Sequence, residues 1–215
     1  AVEYSLEDVL IGRSRAVDAA ISGPDGLQVL TASGTGDNAG WQLAAEAEDV
    51  RADLSEFEAS FECIVVDTGA GLAAKTVDSA VAADRVLLVV TPEPAAIADA
   101  YATMKALLSR RIELQVHLLV NMAESRREAE DLQEKFGELA TRFLGAEIDN
   151  RGYIPLDRYV REAVKRQVPF VQMDPPSSAA EAVGELAGWL DEVSNQNDGP
   201  GFFNQVLGRR DEGSD

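Results

Sequence analysis

A carboxylate followed by two glycines is the strongest chemical signal in this 215-residue sequence. Asp67 and Thr68 come directly after the apolar run 63–66, and Gly69 and Gly71 follow within the segment DTGAGL. A carboxylate at the end of a strand can hold a water of a Mg²⁺ shell, and glycines let backbone N–H groups approach a phosphate. The same pattern is typical of an ordinary turn between a strand and a helix. On this feature alone, both interpretations stay open.

Three later segments also place polar side chains directly after apolar runs. Glu93 lies between two prolines in VTPEP, Asn121 ends the run LLVN, and Pro155 and Asp157 end GYIPLD. If each run is a strand of one parallel sheet, these side chains share the sheet edge where such folds bind ligands. There an asparagine amide can contact a base edge, and Glu93 can reach a ligand or a partner subunit. Ordinary helix punctuation explains each segment equally well when it is taken alone.

Short apolar runs alternate with longer amphipathic stretches that must position these residues. The predicted strands are 27–31, 63–66, 86–90, 116–120 and 152–154, and the predicted crossover helices are 40–60, 72–82, 95–111, 124–144, 156–167 and 178–193. Runs that are apolar on both faces favour a parallel sheet covered on both sides. The predicted fold class is therefore α/β, doubly wound and mostly parallel, with helices on both faces. We also expect Cys63 and His117 to be buried in their strands.

Composition restricts the possible partners. The 38 acidic residues outnumber the 19 basic ones, and a net charge of −19 repels phosphate backbones, so we expect no nucleic-acid partner. One cysteine excludes an internal disulfide, and with a single histidine it supplies too few ligands for a zinc site. No apolar run approaches the roughly 18 residues that a membrane span needs. We expect a cytoplasmic protein.

The C-terminal region is predicted to be a tail that is separate from a domain over residues 1–193. A polar linker, 194–200, precedes a tail over 201–215. As a helix, this tail places four apolar side chains on one face, with Arg209 and Arg210 at its end; the four are Phe202, Phe203, Val206 and Leu207. Such a helix can bind a membrane surface, or its phenylalanines can dock back onto the domain.

One segment is basic in this acidic sequence. Between residues 151 and 170, five basic side chains oppose two acidic ones, which gives a local charge of +3. Four of the basic residues, Arg158, Arg161, Lys165 and Arg166, fall on one predicted helix. A solvated face and a partner-binding surface both fit this pattern.

Taken in order, these motifs resemble those of the MinD/ParA superfamily of deviant Walker A ATPases. The series is DTGAGL, then VVTPEP with DAY and Lys105 after it, then LLVN, IP-x-D and a final VPF. The TGAG and TPEP forms are most similar to the FlhG/FleN (YlxH) branch, which regulates flagellar number and placement. The resemblance covers residues 5 to about 193, and its opening stretch matches the region that follows the family's second strand.

The resemblance implies a MinD-like P-loop NTPase fold that uses ATP and Mg²⁺. Asp67 resembles the Walker B carboxylate that supports Mg²⁺ through water, and Thr68 to Gly71 resemble the switch that senses the γ-phosphate. Glu93 is similar to the glutamate that reaches the other subunit's nucleotide in the family's ATP-sandwich dimers. Asn121 and the turn from Pro155 to Asp157 resemble the adenine-recognition positions.

The resemblance also implies partners and a place in the cell. It suggests an ATP-dependent homodimer that regulates flagellar number or placement, with an SRP-type GTPase or a flagellar regulator as its partner. The tail resembles the superfamily's short C-terminal membrane-targeting helix, which implies peripheral attachment at the inner face of the bacterial cell membrane.

One departure from the family pattern changes the expected activity. None of the 17 glycines is followed by lysine, so the sequence has no GKGGxGK[ST] loop to cradle phosphates. We therefore expect a truncated piece of a parent ATPase, without hydrolysis of its own. The alternatives are a non-catalytic MinD-like interaction module and a ParA-type partitioning ATPase, which the acidic charge disfavours.

Overall fold

The computed structural model describes residues 3–32, 39–69, 71–194 and 201–208. The chain forms two compact units, Ala1–Val66 with Asp198–Asp215, and Asp67–Asn197. This division falls inside the single domain predicted over 1–193, and it groups the predicted tail with the N-terminal residues. Ser194 ends a helix, and the rest of the predicted linker, 195–200, lies outside the described residues.

Short helices and one hairpin make up the first unit. Its elements are α1 (Leu6–Leu10), α2 (Ala16–Ala19), β1 (Ile21–Ser22), β2 (Gln28–Val29), α3 (Ala39–Glu46), α4 (Glu48–Glu58) and, from the C-terminal segment, α10 (Phe202–Gly208). β1 and β2 pair antiparallel across the 3-10 turn Pro24–Gly26, so the prediction of a parallel strand over 27–31 is wrong. A short turn brings β2 back beside the residues that precede it, and such a connection permits only antiparallel pairing.

The first unit has a small core to which α10 contributes. Its buried side chains come from α1, α2, α3, α4 and α10 and include Leu10, Leu54, Phe203 and Leu207. The predicted helix 40–60 is interrupted at Ala47, whose φ of −94° and ψ of 104° are extended, so α3 and α4 are separate helices. The apolar side chains of the predicted tail thus lie in a protein core.

Residues 63–66 form no strand, contrary to the prediction. Their backbone is irregular, and the Val65 side chain is 77% exposed. A strand needs a neighbour that hydrogen-bonds to its backbone, and no described strand pairs with this segment. Cys63 is therefore exposed, and its predicted burial is wrong.

The second unit is a three-stranded parallel sheet with helices on both faces. Its strands are β3 (Arg85–Val90), β4 (Gln115–Ala123) and β5 (Asp149–Pro155), in the order β3-β4-β5. Its helices are α5 (Ala74–Ala82), α6 (Pro94–Arg110), α7 (Arg126–Leu144), α8 (Arg158–Arg166) and α9 (Ser178–Ser194). Strands and crossover helices follow the predicted order, which confirms the α/β class.

Strand residues alternate between two cores. Leu88 and Leu118 pack with Met104 of α6 and Phe136 of α7, so the even-numbered positions of β3 and β4 face this helix layer. On the opposite face, Leu119 and Ile154 cluster with Ala179 and other residues of α9. Helices pack on both faces, which explains why the central parts of β3 and β4 are mostly apolar, although Val89 stays 51% exposed.

Candidate functional site

The carboxyl edge of the sheet brings three predicted segments together. Val90, the last residue of β3, pairs with Val120, so Thr91, which follows β3, and Asn121, near the end of β4, lie at the same level. Asn121 pairs with Ile154, and Pro155 pairs with Ala123. The segments that contain Glu93, Asn121 and Asp157 therefore share one edge, which we call the rim. Their role in binding stays a prediction.

The strands end irregularly at the rim. Register shifts occur between Leu118 and Val120 and between Asn121 and Ala123. Met122 has a φ of 61°, a conformation that non-glycine residues rarely adopt. Bulges of this kind re-aim side chains and recur beside binding sites. The pairing of β4 with β5 is therefore irregular directly after Asn121.

Asn121 offers an unused amide at this edge. Its side chain is half-buried and makes no hydrogen bond with another described residue. A primary amide supplies two N–H donors and one carbonyl acceptor, so it can pair with a ligand that presents both functions side by side, as the edge of a purine does. Among the predicted rim residues, Asn121 fits base recognition best.

Asp157, in contrast, already has its hydrogen-bonding capacity in use. It is the N-cap of α8, where one carboxylate oxygen accepts the Tyr159 N–H at 2.8 Å. The other oxygen accepts the Ala179 N–H and the Ser178 hydroxyl, each at 3.2 Å, at the start of α9. Burial alone would raise the pKa of Asp157. These hydrogen bonds, together with one from Ser177, outweigh that effect and hold the pKa below its usual range. Asp157 fixes the rim by joining two helix N-termini.

Glu93 is the exposed N-cap of α6, with Pro94 in the first helical position. A hydrogen bond from the Thr91 side chain lowers the pKa of the Glu93 carboxyl. The group is therefore charged at neutral pH, and it lies at a helix N-terminus, where negative charge is favoured. An exposed, ionised carboxylate at the rim is available to a second molecule.

The structure does not deliver Asp67 to the end of a strand. Asp67, Thr68 and Gly69 are exposed in irregular backbone, and Ala70 lies outside the described residues. Gly71 has a φ of +97°, which favours glycine, and the Thr76 hydroxyl donates to the Gly69 carbonyl at 3.4 Å. The predicted metal and phosphate residues are therefore in the right order along the chain but do not follow a sheet strand.

The described residues suit the base of a nucleotide better than its phosphates and metal ion. The rim offers the Asn121 amide beside the irregularity near the end of β4, which suits a base. At the phosphate end, the exposed Asp67 is a single carboxylate, and the described residues contain no group of three or more His, Cys, Asp or Glu side chains that could hold a metal. The lysine-bearing glycine loop is missing from the sequence. We therefore derive no phosphoryl-transfer step from these residues.

Sequence reasoning missed a polar cluster beneath α9. His117 is buried, as predicted, and its ring lies 4.8 Å from that of Trp189. Its Nδ1 accepts a hydrogen bond from Arg151 Nε at 3.4 Å and is 3.3 Å from an Asp149 oxygen, and Arg151 also pairs with Asp149. The pairing of His117 with Asp149 across β4 and β5 arises from the register. No sequence signal could have identified it.

Comparison with known proteins identifies the family. The family described as "Cellulose biosynthesis protein BcsQ" matches residues 19–190. The chain is 35% identical over 188 residues to "Antiactivator FleN" of Pseudomonas aeruginosa, covering 87% of this chain and 67% of that protein. It is also 35% identical over 154 residues to "Flagellum site-determining protein YlxH" of Helicobacter pylori, covering 68% of this chain and 49% of that protein. The chain belongs to the FlhG/FleN branch of the MinD/ParA superfamily.

Solved structures give the same fold for this FlhG/FleN-branch chain. The cell division ATPase MinD of Pyrococcus furiosus aligns with a TM-score of 0.64 at 22% identity, covering 90% of this chain and 77% of that one. The MinD cell division protein of Aquifex aeolicus aligns with a TM-score of 0.64 at 25% identity, covering 93% and 78%. The predicted MinD-like fold is thereby confirmed. The YlxH relative is about twice as long as the matched region.

Proposed function

We propose that this chain is part of a MinD-like regulator of flagellar number or placement that binds ATP and dimerises with it. The family supports the general role. The observation that carries the nucleotide site is the rim, where Asn121 offers an unused amide beside the turn that Asp157 fixes.

Each rim residue has a distinct proposed role. Asn121 donates to and accepts from the adenine edge, while the backbone from Pro155 to Asp157 borders the base. Asp157 is a positioning residue, because its carboxylate is already bound to the starts of α8 and α9. Glu93, exposed and ionised, reaches the nucleotide of a second subunit, so ATP binding and dimerisation favour each other.

The phosphate end of the proposal involves Asp67 and the segment Thr68–Gly71. When bound, Mg²⁺ would neutralise phosphate charge, and Asp67 would hold it through a water. We assign no hydrolysis to the 215 residues alone, since the lysine loop that cradles phosphates is not among them. Hydrolysis is proposed only for a protein that supplies this loop.

Membrane attachment through α10 is the remaining part of the proposal. No helix among the described residues is both long and apolar enough to cross a bilayer. Phe203, Val206 and Leu207 of α10 are buried, whereas Arg209 and Arg210 lie outside the described residues. Attachment at the inner face of the cell membrane by this apolar face therefore requires α10 to leave the first unit. An SRP-type GTPase or a flagellar regulator is the proposed partner.

The proposal is tested by nucleotide binding to the full-length protein. Isothermal titration with ATP, GTP and ADP should show binding that prefers adenine nucleotides. Asn121→Ala should weaken ATP binding about tenfold, since one lost polar pair costs about 1.5 kcal/mol, and it should reduce the preference for ATP over GTP. Asn150→Ala, an exposed asparagine of β5 in the same sheet, is the matched control. Equal ATP binding by both variants would remove Asn121 from the site.

A non-catalytic interaction module is the second candidate. The irregular, exposed placement of Asp67 favours it. In that case the full-length protein would not hydrolyse ATP, and phosphate release measured beside the titration separates the two functions.

A further inference from the structure

Helix α8 carries a basic and apolar stripe on its exposed side. Arg161, Val164, Lys165 and Val168 follow one another at spacings of three, one and three residues, which places them on one side of a helix and just past its end. All four are exposed, and the Val164 side chain is 71% exposed. We call these four residues the α8 stripe.

The cations of the α8 stripe are not used inside the protein. Arg161 and Lys165 form no salt bridge with another described residue, whereas Arg166 of the same helix pairs with Glu162. Ala163 is the only fully buried side chain that α8 contributes. A helix face that only meets solvent has no need of valines. A face that packs against its own domain would not carry unpaired cations beside its valines. The α8 stripe, which has both, is therefore suited to contact with another molecule.

Charge decides which kind of molecule fits this stripe. Residues 151–170 carry +3, so the rest of the chain carries −22. A membrane or a nucleic acid is an extended anion. If it bound the stripe, it would also lie close to much of the acidic surface, which would repel it. A short peptide is different, because screening at about 8 Å confines its interactions to the stripe and its immediate neighbours.

We propose that the α8 stripe binds an acidic segment of a partner protein, one that presents apolar side chains between aspartates or glutamates. Carboxylates of the segment pair with Arg161 and Lys165, and its apolar side chains cover Val164 and Val168. Val171, which is 50% exposed in the 3-10 turn Phe170–Gln172 that contacts α8, extends the apolar part. This interaction goes beyond the proposed nucleotide function and does not depend on it.

A designed peptide tests the proposal on the full-length protein. The probe is a fluorescein-labelled helix of about 18 residues with leucines on one face and glutamates beside them, and fluorescence anisotropy reports binding. One control peptide carries lysine in place of each glutamate, and another carries serine in place of each leucine. Vesicles with and without phosphatidylglycerol, a DNA duplex and sedimentation of the protein alone test the other occupants.

Matched variants locate the binding site. Arg161→Glu/Lys165→Glu should weaken binding of the acidic peptide at least tenfold, and Val164→Ser should weaken it about threefold. Arg126→Glu/Arg127→Glu makes the same change of charge on α7, where these side chains are 77% and 90% exposed. It should change the affinity less than twofold. Circular dichroism and thermal unfolding confirm that each variant is folded.

Several outcomes would overturn the proposal. They are equal losses in the α7 and α8 charge variants, equal binding of the lysine or serine peptide, and no binding of the acidic peptide at concentrations up to about 1 mM. Binding to anionic vesicles or DNA that the α8 variants abolish would assign the stripe to those partners instead. Self-association abolished by the same variants would assign it to a second copy of the chain. Weaker peptide binding at higher salt supports the proposal.

Discussion

The guanidinium of Arg151 lies over the indole ring of Trp189, with 4.4 Å between Cζ and the ring centroid. This contact joins β5 to α9, and it closes over the buried His117 ring. Arg151 also pairs with Asp149, so that carboxylate is neutralised and does not hold a proton on His117. Burial, and then the charges of Arg151 and Arg85, lower the pKa of His117 to about 4.

Acid should destabilise the second unit through His117. In the unfolded chain the imidazole binds a proton below its ordinary pKa of 6.5, but in the folded protein it does so only near pH 4. The free energy of unfolding should therefore decrease as the pH falls from 6.5 to 4, by about 1.4 kcal/mol per pH unit at most. Urea unfolding of His117→Phe should lack this part of the pH dependence. The same slope in both proteins would contradict the assignment.

Removing the Asp157 carboxylate should loosen two helices at once. Asp157→Ala should lower the free energy of unfolding by about 2 kcal/mol, since each lost cap costs about 1 kcal/mol, and Asp157→Asn should lose less. Hydrogen exchange should increase at the starts of both α8 and α9. Glu185→Ala, on the exposed side of α9, is the control. Faster exchange in α8 alone would show that the bond to Ala179 contributes nothing.

The sheet of the second unit could be predicted because burial on both faces requires apolar residues at every strand position. The runs 86–90 and 116–120 are apolar except for the buried His117, and both lie in strands. The run 63–66 is equally apolar but unpaired, since composition does not supply a hydrogen-bonding neighbour. The segments of Glu93, Asn121 and Asp157 could be placed at one edge because the strands before them are paired. Asp67 could not be placed, because the run before it has no pairing neighbour.

The location of the tail could not be predicted either. An amphipathic helix shows only that one face avoids water, and lipid or protein can cover that face. Phe203 and Leu207 lie in a protein core here. The partners of Asp157 were also hidden, because Ala179 lies 22 residues away in the sequence.

Glu93 should act between subunits. If it reaches the nucleotide of a second molecule, Glu93→Ala will weaken ATP-induced dimerisation of the full-length protein. It should lower monomer stability by no more than about 1 kcal/mol, because the exposed side chain makes no cap hydrogen bond and only its charge favours the start of α6. Analytical ultracentrifugation with ATP and with ADP measures this. Asp99→Ala, an exposed position of α6, is the control. An unchanged dimerisation constant in the Glu93 variant would exclude this role.

Asp67 should be needed for hydrolysis by a protein that contains the phosphate-binding loop. Asp67→Ala would free the Mg²⁺ that neutralises phosphate charge, so ATP turnover should fall at least a hundredfold. Asp84→Ala is a matched loss of one carboxylate in the same unit. Phosphate release measured within about twofold of the unaltered protein would refute the role of Asp67.

Glu58 should control the release of α10. Its carboxylate accepts the backbone N–H of Phe202 and, at 3.2 Å, that of Phe203. Glu58→Ala should loosen α10 without altering its apolar face, and binding to anionic vesicles in the presence of ATP should increase. Phe202→Glu/Phe203→Glu should abolish that binding. Asp49→Ala removes an exposed acid from the same helix and is the control. Vesicle binding unaffected by all three changes would leave α10 as a structural element only.

The first unit is discontinuous along the chain, and this fixes the order in which the two units can form. Contacts such as that between Phe202 and Glu58 span 144 residues, whereas the second unit is one unbroken segment. Contacts between distant residues form slowly because a long loop must close first. On the ribosome, residues 67–197 can fold as soon as they emerge, but the core that contains Leu54 must wait for Phe203 and Leu207. The part of the first unit that precedes residue 67 is thus synthesised before the second unit but completed after it.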